Sequence, residues 1–383
     1  MLHTSYIEIS KSALKHNIKF IKEHLHDNVL LSSVVKGNAY GHGIEQFIPI
    51  AEDCGVNHFS VFSADEAQRV KQVLQTNSDI MIMGMLDTDQ LEWAISNEIS
   101  FFVFNFERIE NTLKTAKRLN KKARIHIEIE TGMNRTGFLK KNINKLLSYI
   151  TQNLDYLNIE GFCTHFAGAE SISNFYRVQK QIKLFKNIKK EMNLPEFSDL
   201  KFHAACSAAA IRYPKTQMDM VRIGILQYGF FPTKEVLIDF LSKSKSKNNP
   251  LKRIISWKSE VMDVKKIKMG EFIGYGASYF ANNNMKIAIV PVGYGHGFSR
   301  SLSNRGRVII NGHLVNVVGI VNMNMMSVDV TDLNEVKVGD QVVIIGKQGN
   351  FEISVGSFSD YSEQVNYELL TRLPGNLPRI VVE

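Results

Sequence analysis

Along the first 240 residues, short apolar runs alternate with longer segments whose apolar positions recur at helical spacing. The run Tyr6–Ile9 reads as an opening strand. A helix over Ala13–His24 follows, capped by Ser10 or Ser12, with Leu14, Ile18, Ile21 and Leu25 on one face. Strands are then predicted at Val29–Val35, Phe59–Phe62, Ile80–Met83, Phe101–Phe104, Ile125–Ile129, Ile159–Thr164, Phe202–Cys206 and Val221–Ile225. Between them lie helical patterns at Ala64–Gln75, Thr88–Ser96, Glu107–Asn120, Lys140–Thr151 and Phe175–Met192. Strands alternating with crossovers over about 220 residues are the signature of a closed (β/α)8, TIM-like barrel. A doubly wound sheet is the alternative, but it would want a GxGxxG turn after its first strand. Gly37-x-x-x-Gly41-x-Gly43 lacks that spacing.

Near Leu241–Pro250 (LSKSKSKNNP) the composition turns to Ser, Lys and Asn, as in a linker or exposed loop. Beyond it, alternation predicts strands at Ile254–Val264, Lys286–Pro291, Arg307–Ile310, His313–Val318, Ser327–Val330 and Gln341–Ile345. Asn311-Gly312 marks a tight hairpin, because both central positions of a type I′ turn need positive φ. Phe351–Asn366 is read as the last helix. Two domains are therefore expected: a barrel over residues 11–240 and a mostly antiparallel β-domain over 250–383, joined by the N-terminal strand 1–10.

In a barrel, chemistry gathers at the C-terminal ends of the strands. Those positions hold Lys36, Glu128, Glu130 with the following Arg135, His165, His203, Ser207 and Arg222. Lys36 ends a β-branched apolar run and opens a glycine-rich segment, Val34-Val35-Lys36-Gly37-Asn38-Ala39-Tyr40-Gly41-His42-Gly43. Two readings of it are open on these residues alone. A buried lysine sheds its charge and becomes an amine able to form a Schiff base with an aldehyde; a surface lysine merely starts a loop. Basic groups at several strand ends suit an anionic ligand and favour the first.

Composition narrows the class. The 383 residues are 44% hydrophobic and 22% charged, as in an ordinary globular chain. The net charge of +8 is concentrated in stretches such as Lys183–Lys190 and Lys243–Lys247, which read as solvated faces. No aromatic-interleaved basic motif or zinc-finger spacing points to nucleic acid. Cys54, Cys163 and Cys206 are odd in number and far apart, so neither a disulfide framework nor a metal site is expected. No apolar run approaches the ~18 residues of a membrane span, and MLHTSYIEIS lacks a signal-peptide pattern; a cytoplasmic location is expected.

Seven segments, in order, resemble those of the alanine racemases. They are the Lys36 motif, Thr131-Gly132-Met133-Asn134-Arg135-Thr136-Gly137, Thr164-His165-Phe166-Ala167, and Ser207-Ala208-Ala209 with Met220-Val221-Arg222-x-Gly224-Ile225. Gly274-Tyr275-Gly276-Ala277-Ser278-Tyr279, Val292-Gly293-Tyr294 and Asn366-Tyr367-Glu368 complete the set. The resemblance implies a pyridoxal 5′-phosphate enzyme that interconverts L- and D-alanine and supplies D-alanine for the cell wall. Lys36 would hold the cofactor and act as base on one face of the substrate. Tyr279, from the second subunit of a homodimer, would serve the opposite face, assisted by His165. Arg222, supported by His203, would face the pyridine nitrogen. Tyr40, Ser207, Gly224, Ile225 and Tyr367 would bind the phosphate. Arg135, and Met323 across the dimer, would hold the substrate carboxylate.

The chain also departs from the family pattern. Glu128 stands where many members carry a carbamylated lysine, so it is expected to supply that negative charge and restrain Arg135. Asn324 replaces the usual Asp after Met323, Ile320 an Arg, and Glu170 an Asp. These changes keep a serine or broader-specificity racemase open as the alternative. A cofactor-carrying barrel without turnover would lack the β-domain and Tyr279. An amino-acid decarboxylase of the same architecture would want a carboxylate in place of Arg222.

Overall fold

The computed structural model describes residues 3–192, 200–356 and 366–383; the side chains of Asn366 and Tyr367 lie outside that description. The chain divides into two compact units. One comprises Ser12–Lys36 and Ile48–Arg253; the other takes in the N-terminal strand, Gly37–Phe47 and Ile254–Glu383. Among the described residues, no helix is long and apolar enough to cross a membrane.

The first unit is built on eight parallel strands: β2 (Leu30–Val34), β3 (His58–Val61), β4 (Asp79–Ile82), β5 (Ser100–Val103), β6 (Ala123–Glu128), β7 (Leu157–Cys163), β8 (Lys201–His203) and β9 (Met220–Ile223). Each pairs with its predecessor from β2 to β8, and β9 pairs with β2. The circle closes between β8 and β9 through a bridge of Cys206 with Arg222, whose N–H donates to Ala205 O at 2.9 Å. Each strand coincides with an apolar run predicted above, shifted by one to three residues. Strands buried on both faces carry nearly continuous apolar runs, which is why they are legible. The intervening helices bury one face. Phe106–Leu119 buries Ile109, Leu113 and Ala116, is capped by Asn105 (Arg108 N–H to Oδ1, 2.8 Å), and ends on left-handed Asn120.

Three helices fall where none is predicted: Ile44–Asp53, Ser207–Arg212 and Lys234–Lys243. The first contains Pro49, which argues locally against a helix interior. The last takes in the first three residues of the expected linker.

In the second unit, β1 (Ser5–Ser10) runs antiparallel to β10 (Ile255–Glu260) and parallel to β18 (Arg379–Val382), so both ends of the chain share one sheet. The single strand expected at Ile254–Val264 is in fact two, β10 and β11 (Asp263–Ile267). At the break, Val261 N–H turns to Asp340 O and Met262 N–H to Ile289 O, so the chain passes from one neighbour to another. The Asn311-Gly312 hairpin forms as predicted, with φ of 50° and 75° joining β13 (Arg307–Ile310) to β14 (His313–Val318). The helix expected at Phe351–Asn366 is corrected at its start. Phe351–Ile353 is a strand paired with Gln341–Gln348, because its side chains complete a hairpin edge. Residues 357–365 lie outside the described residues, and a helix spans Asn366–Thr371.

Candidate active site

The end of β2 is fixed before the reactive lysine begins. Val34 O accepts from both Gln227 Nε2 (3.0 Å) and Tyr228 Oη (2.9 Å), while Val35 N–H donates to Ser60 O at 2.9 Å. Lys36 then places its amine among the charges of Arg135, Arg222 and Glu66. Desolvation lowers its pKa first, Arg135 and Arg222 lower it further, and Glu66 opposes them. Burial beside two guanidinium groups is the environment in which a lysine sheds its charge.

Immediately after Lys36 the backbone enters a left-handed turn. Gly37, Asn38, Ala39 and Tyr40 have φ of 63°, 55°, 52° and 51°. Three of these are not glycine, and each such residue costs roughly 1–2 kcal/mol. Side-chain-bearing residues held there are a mark of functional backbone strain. At Gly41 a Cβ would collide with the carbonyl of Leu370, so the turn sits directly on the C-terminal helix of its own unit. The sequence reading of a permissive glycine loop missed this strain, because Asn38–Tyr40 carry no local signal for it.

Arg222 on β9 is buried. Its Nη1 donates to His203 Nδ1 (2.5 Å) and His203 O (3.1 Å), and its Nη2 to Thr164 O (2.8 Å). No carboxylate pairs with it among the described residues. His165, at the end of β7, is pushed down to about 3 by burial and then by Arg222, Arg135 and Lys36, and is neutral at physiological pH. Its loop is held by Gln181, which donates to His165 O (2.9 Å) and Thr131 Oγ1 (3.1 Å) and accepts from Ala167 N–H (2.8 Å). Ser207 Oγ accepts from Gly224 N–H at 3.0 Å, leaving its own proton available, and Ile225 follows at the start of a short 3₁₀ turn. The first unit therefore brings together Lys36, Arg135, His165, His203 and Arg222.

Glu128 departs from expectation. Its carboxylate accepts from Thr136 Oγ1 at 2.7 Å, and among the described residues it has no ion pair with Arg135. Glu130 instead organises the loop, accepting from Gly132 N–H and from Arg135 N–H (3.3 Å).

The second unit carries Tyr40, Tyr279, Met323 and Tyr367; the side chain of Tyr367 lies outside the described residues. Tyr279 is half-buried against Ile273, Ile287 and Val318, and lines a cavity of about 570 Å³ with Arg305, Arg307 and Asp329. Met323 O accepts from Gly295 N–H at 2.8 Å, and its side chain is exposed.

A model of the alanine racemase N-terminal domain matches residues 9–232, and one of the C-terminal domain matches 254–381. The chain belongs to the alanine racemase family. Within that family it is 32% identical over 381 residues to an alanine racemase of Leptospira interrogans, covering 100% of this chain and 96% of the relative. Among solved structures it resembles the Bacillus anthracis alanine racemase with bound L-Ala-P (TM-score 0.90, 29% identity, 100% and 96% covered). It also resembles the Bartonella henselae alanine racemase with covalently bound pyridoxal phosphate (TM-score 0.85, 27% identity, 99% and 100% covered). The resemblance of the seven motifs, and the barrel followed by a β-sheet unit, agree with this membership.

Sequence reasoning passed over Gln181, which ties the Thr131 and His165 loops together, and Gln227 and Tyr228, which hold the end of β2. Their available signal is a glutamine on an otherwise apolar face, such as Gln181 among Val178, Ile182 and Phe185.

Proposed function

We propose that this chain is an alanine racemase that interconverts L- and D-alanine with pyridoxal 5′-phosphate held on Lys36. The observation that carries the reading is the Lys36 amine, lowered in pKa beside the buried Arg222 guanidinium. The residues fit the cofactor chemically. Lys36 offers an amine for its aldehyde, Arg222 a permanent donor for its ring nitrogen, and Ser207 and Ile225 a hydroxyl and an N–H donor for its phosphate, with Gly224, Tyr40 and Tyr367 completing the set. When bound, the cofactor withdraws electrons from the substrate α-carbon and makes its hydrogen acidic.

The chain's own groups then move the proton. Lys36 Nζ removes or returns it on one face, and Tyr279 Oη does so on the other. Neutral His165 donates its N–H to Tyr279 Oη and so favours the ionised form of Tyr279. Arg222 would donate to the ring nitrogen of the bound cofactor and, having no proton to release near neutrality, would leave that nitrogen unprotonated. This weakens the electron sink and disfavours side reactions. Arg135 orients the substrate carboxylate.

Racemisation in this scheme requires a homodimer, with Tyr279 and Met323 supplied by the partner subunit. Exposed Phe272, Tyr275, Phe280 and Met323 in the β unit are consistent with such a buried surface. We assign cofactor binding to a barrel domain of residues 11–240, and the partner-facing tyrosine to a β-domain of 250–383 with strand 1–10. The reduced cysteines Cys54, Cys163 and Cys206 suit a cytoplasmic enzyme supplying D-alanine to cell-wall synthesis. The test is solvent-deuterium exchange into D- and L-alanine, with serine and larger amino acids in parallel. Wild type should exchange alanine from both enantiomers, and Lys36→Ala should lose both the exchange and the visible absorbance of the bound cofactor. Exchange by Lys36→Ala at the wild-type rate would remove the assignment.

A further inference from the structure

Arg222 is anchored by a histidine whose protons can be located by logic. A guanidinium has five donors and no acceptor, so His203 Nδ1, 2.5 Å from Arg222 Nη1, must be the unprotonated nitrogen. Burial, Arg222 and the neighbouring histidines hold His203 well below its ordinary pKa, and burial with nearby cations does the same to His126. Both rings are neutral. The proton of His203 therefore lies on Nε2, 3.0 Å from His126 Nδ1, which accepts it. His126 in turn carries its proton on Nε2. The orientation of two buried rings and the place of two protons follow from one arginine.

The backbone is built around the second ring. Strands β6 and β7 pair as Ile125 with Ile159 and then His126 with Gly161, so Glu160 is an extra residue opposite this point. Such bulges re-aim side chains beside active sites. The residue facing His126 is a glycine, and a Cβ there would lie 3.1 Å from His126 Nδ1 and collide with Lys201 O. Phe102 packs against both imidazoles, with centroids 6.3 Å from His126 and 6.1 Å from His203. Without an acceptor at position 126, the buried Nε2–H of His203 has no partner. The other tautomer turns an N–H toward the guanidinium donor and ring rotation turns a C–H there, so either remedy removes the acceptor and displaces Arg222.

We propose that His126 is a positioning residue of the racemase: by accepting from His203 Nε2 it fixes the tautomer through which His203 holds Arg222. The proposal rests on the reading of Arg222 given above only for its effect on the cofactor, not for the tautomer itself.

The test uses the full-length chain labelled with ¹⁵N-histidine, measured without and with pyridoxal phosphate, beside His126→Leu, which removes the acceptor, and His126→Asn, whose Oδ1 replaces Nδ1. In wild type the His203 resonances, assigned by their loss in His203→Gln, should report a single neutral form protonated at Nε2. A ring protonated at Nδ1 overturns the proposal without any variant, so it stays falsifiable even if His126→Leu fails to fold. In His126→Leu that single form should be lost, cofactor affinity should fall about tenfold, and kcat should fall by a similar factor with little change in KM. His126→Asn should recover both to within about threefold. An unchanged His203 tautomer in His126→Leu, or an Asn variant no better than Leu, overturns the proposal. An altered tautomer with unchanged cofactor affinity supports it, and places the failure in the assignment of Arg222 to the ring nitrogen.

Discussion

The carboxylate of Glu128 accepts a hydrogen bond from Thr136 Oγ1 at 2.7 Å, within the loop that also carries Arg135. A buried charge at this position can act on Arg135 through its field even without contact, because low surrounding polarity lets it reach further than in water. Glu128→Gln keeps an acceptor for Thr136 and removes the charge. Its thermal midpoint should match wild type, while kcat/KM for alanine falls about tenfold, a loss of roughly 1.4 kcal/mol of transition-state stabilisation. Racemisation followed by optical rotation checks this, and wild-type kinetics would confine Glu128 to holding the loop.

Gln181 ties Thr131, His165 and Ala167 together from a helix outside the barrel strands. Gln181→Leu preserves volume but leaves the buried Ala167 N–H and His165 C=O without partners. Each unsatisfied group costs about 1–3 kcal/mol, so urea denaturation should show a loss of about 2–6 kcal/mol for the two. A change below about 0.5 kcal/mol would mean that water or loop relaxation replaces these bonds.

The eight barrel strands were legible because their apolar runs mirror burial on both faces. The C-terminal ends of those runs hold Lys36, His165 and Arg222, which the structure brings together. Boundaries slipped where backbone geometry overrides pattern. Phe202–Cys206 reads as one strand, yet β8 stops at His203, and Ala204 and Ala205 lead into a helix that begins at Ser207. The left-handed turn over residues 37–40 was illegible for a different reason. Asn38, Ala39 and Tyr40 are held there by tertiary structure, and residue type discloses only the glycines. His126 sits between Ile125 and Ile127 in a strand buried on both faces. A histidine in such a place is a signal for a polar network, but its partner, 77 residues away, is set by the pairing of β6, β7 and β8.

Ser207 Oγ takes the N–H of Gly224, so the hydroxyl links the loops after β8 and β9. Ser207→Ala removes both this acceptor and a donor for an anion. The dissociation constant for pyridoxal phosphate should rise about tenfold, the equivalent of roughly 1.4 kcal/mol. Equilibrium dialysis of the full chain measures it. Unchanged affinity would remove Ser207 from the phosphate-binding set.

Acid should destabilise the protein before carboxylate titration begins. His42 and His58 are fully buried and pushed down to about 4, chiefly by desolvation. In the unfolded chain both titrate near 6.5. Between those values the unfolded state binds more protons than the folded state, so stability rises with pH and is lost as pH falls from about 6.5 toward 4. Each group contributes a slope of about 1.4 kcal/mol per pH unit through the middle of that window, or about 3 kcal/mol per unit for the pair. His165, lowered to about 3, acts in the same direction. A typical total stability of about 5–15 kcal/mol would be largely consumed over a few pH units of this slope. Urea titrations at fixed cofactor concentration should therefore show a steep decline in unfolding free energy between pH 6.5 and 4.5. Substituting His58 by Asn, which cannot titrate there, should reduce the slope by about 1.4 kcal/mol per unit. A flat profile from pH 7 to 5 would mean that these imidazoles titrate in the folded protein as they do in the unfolded chain.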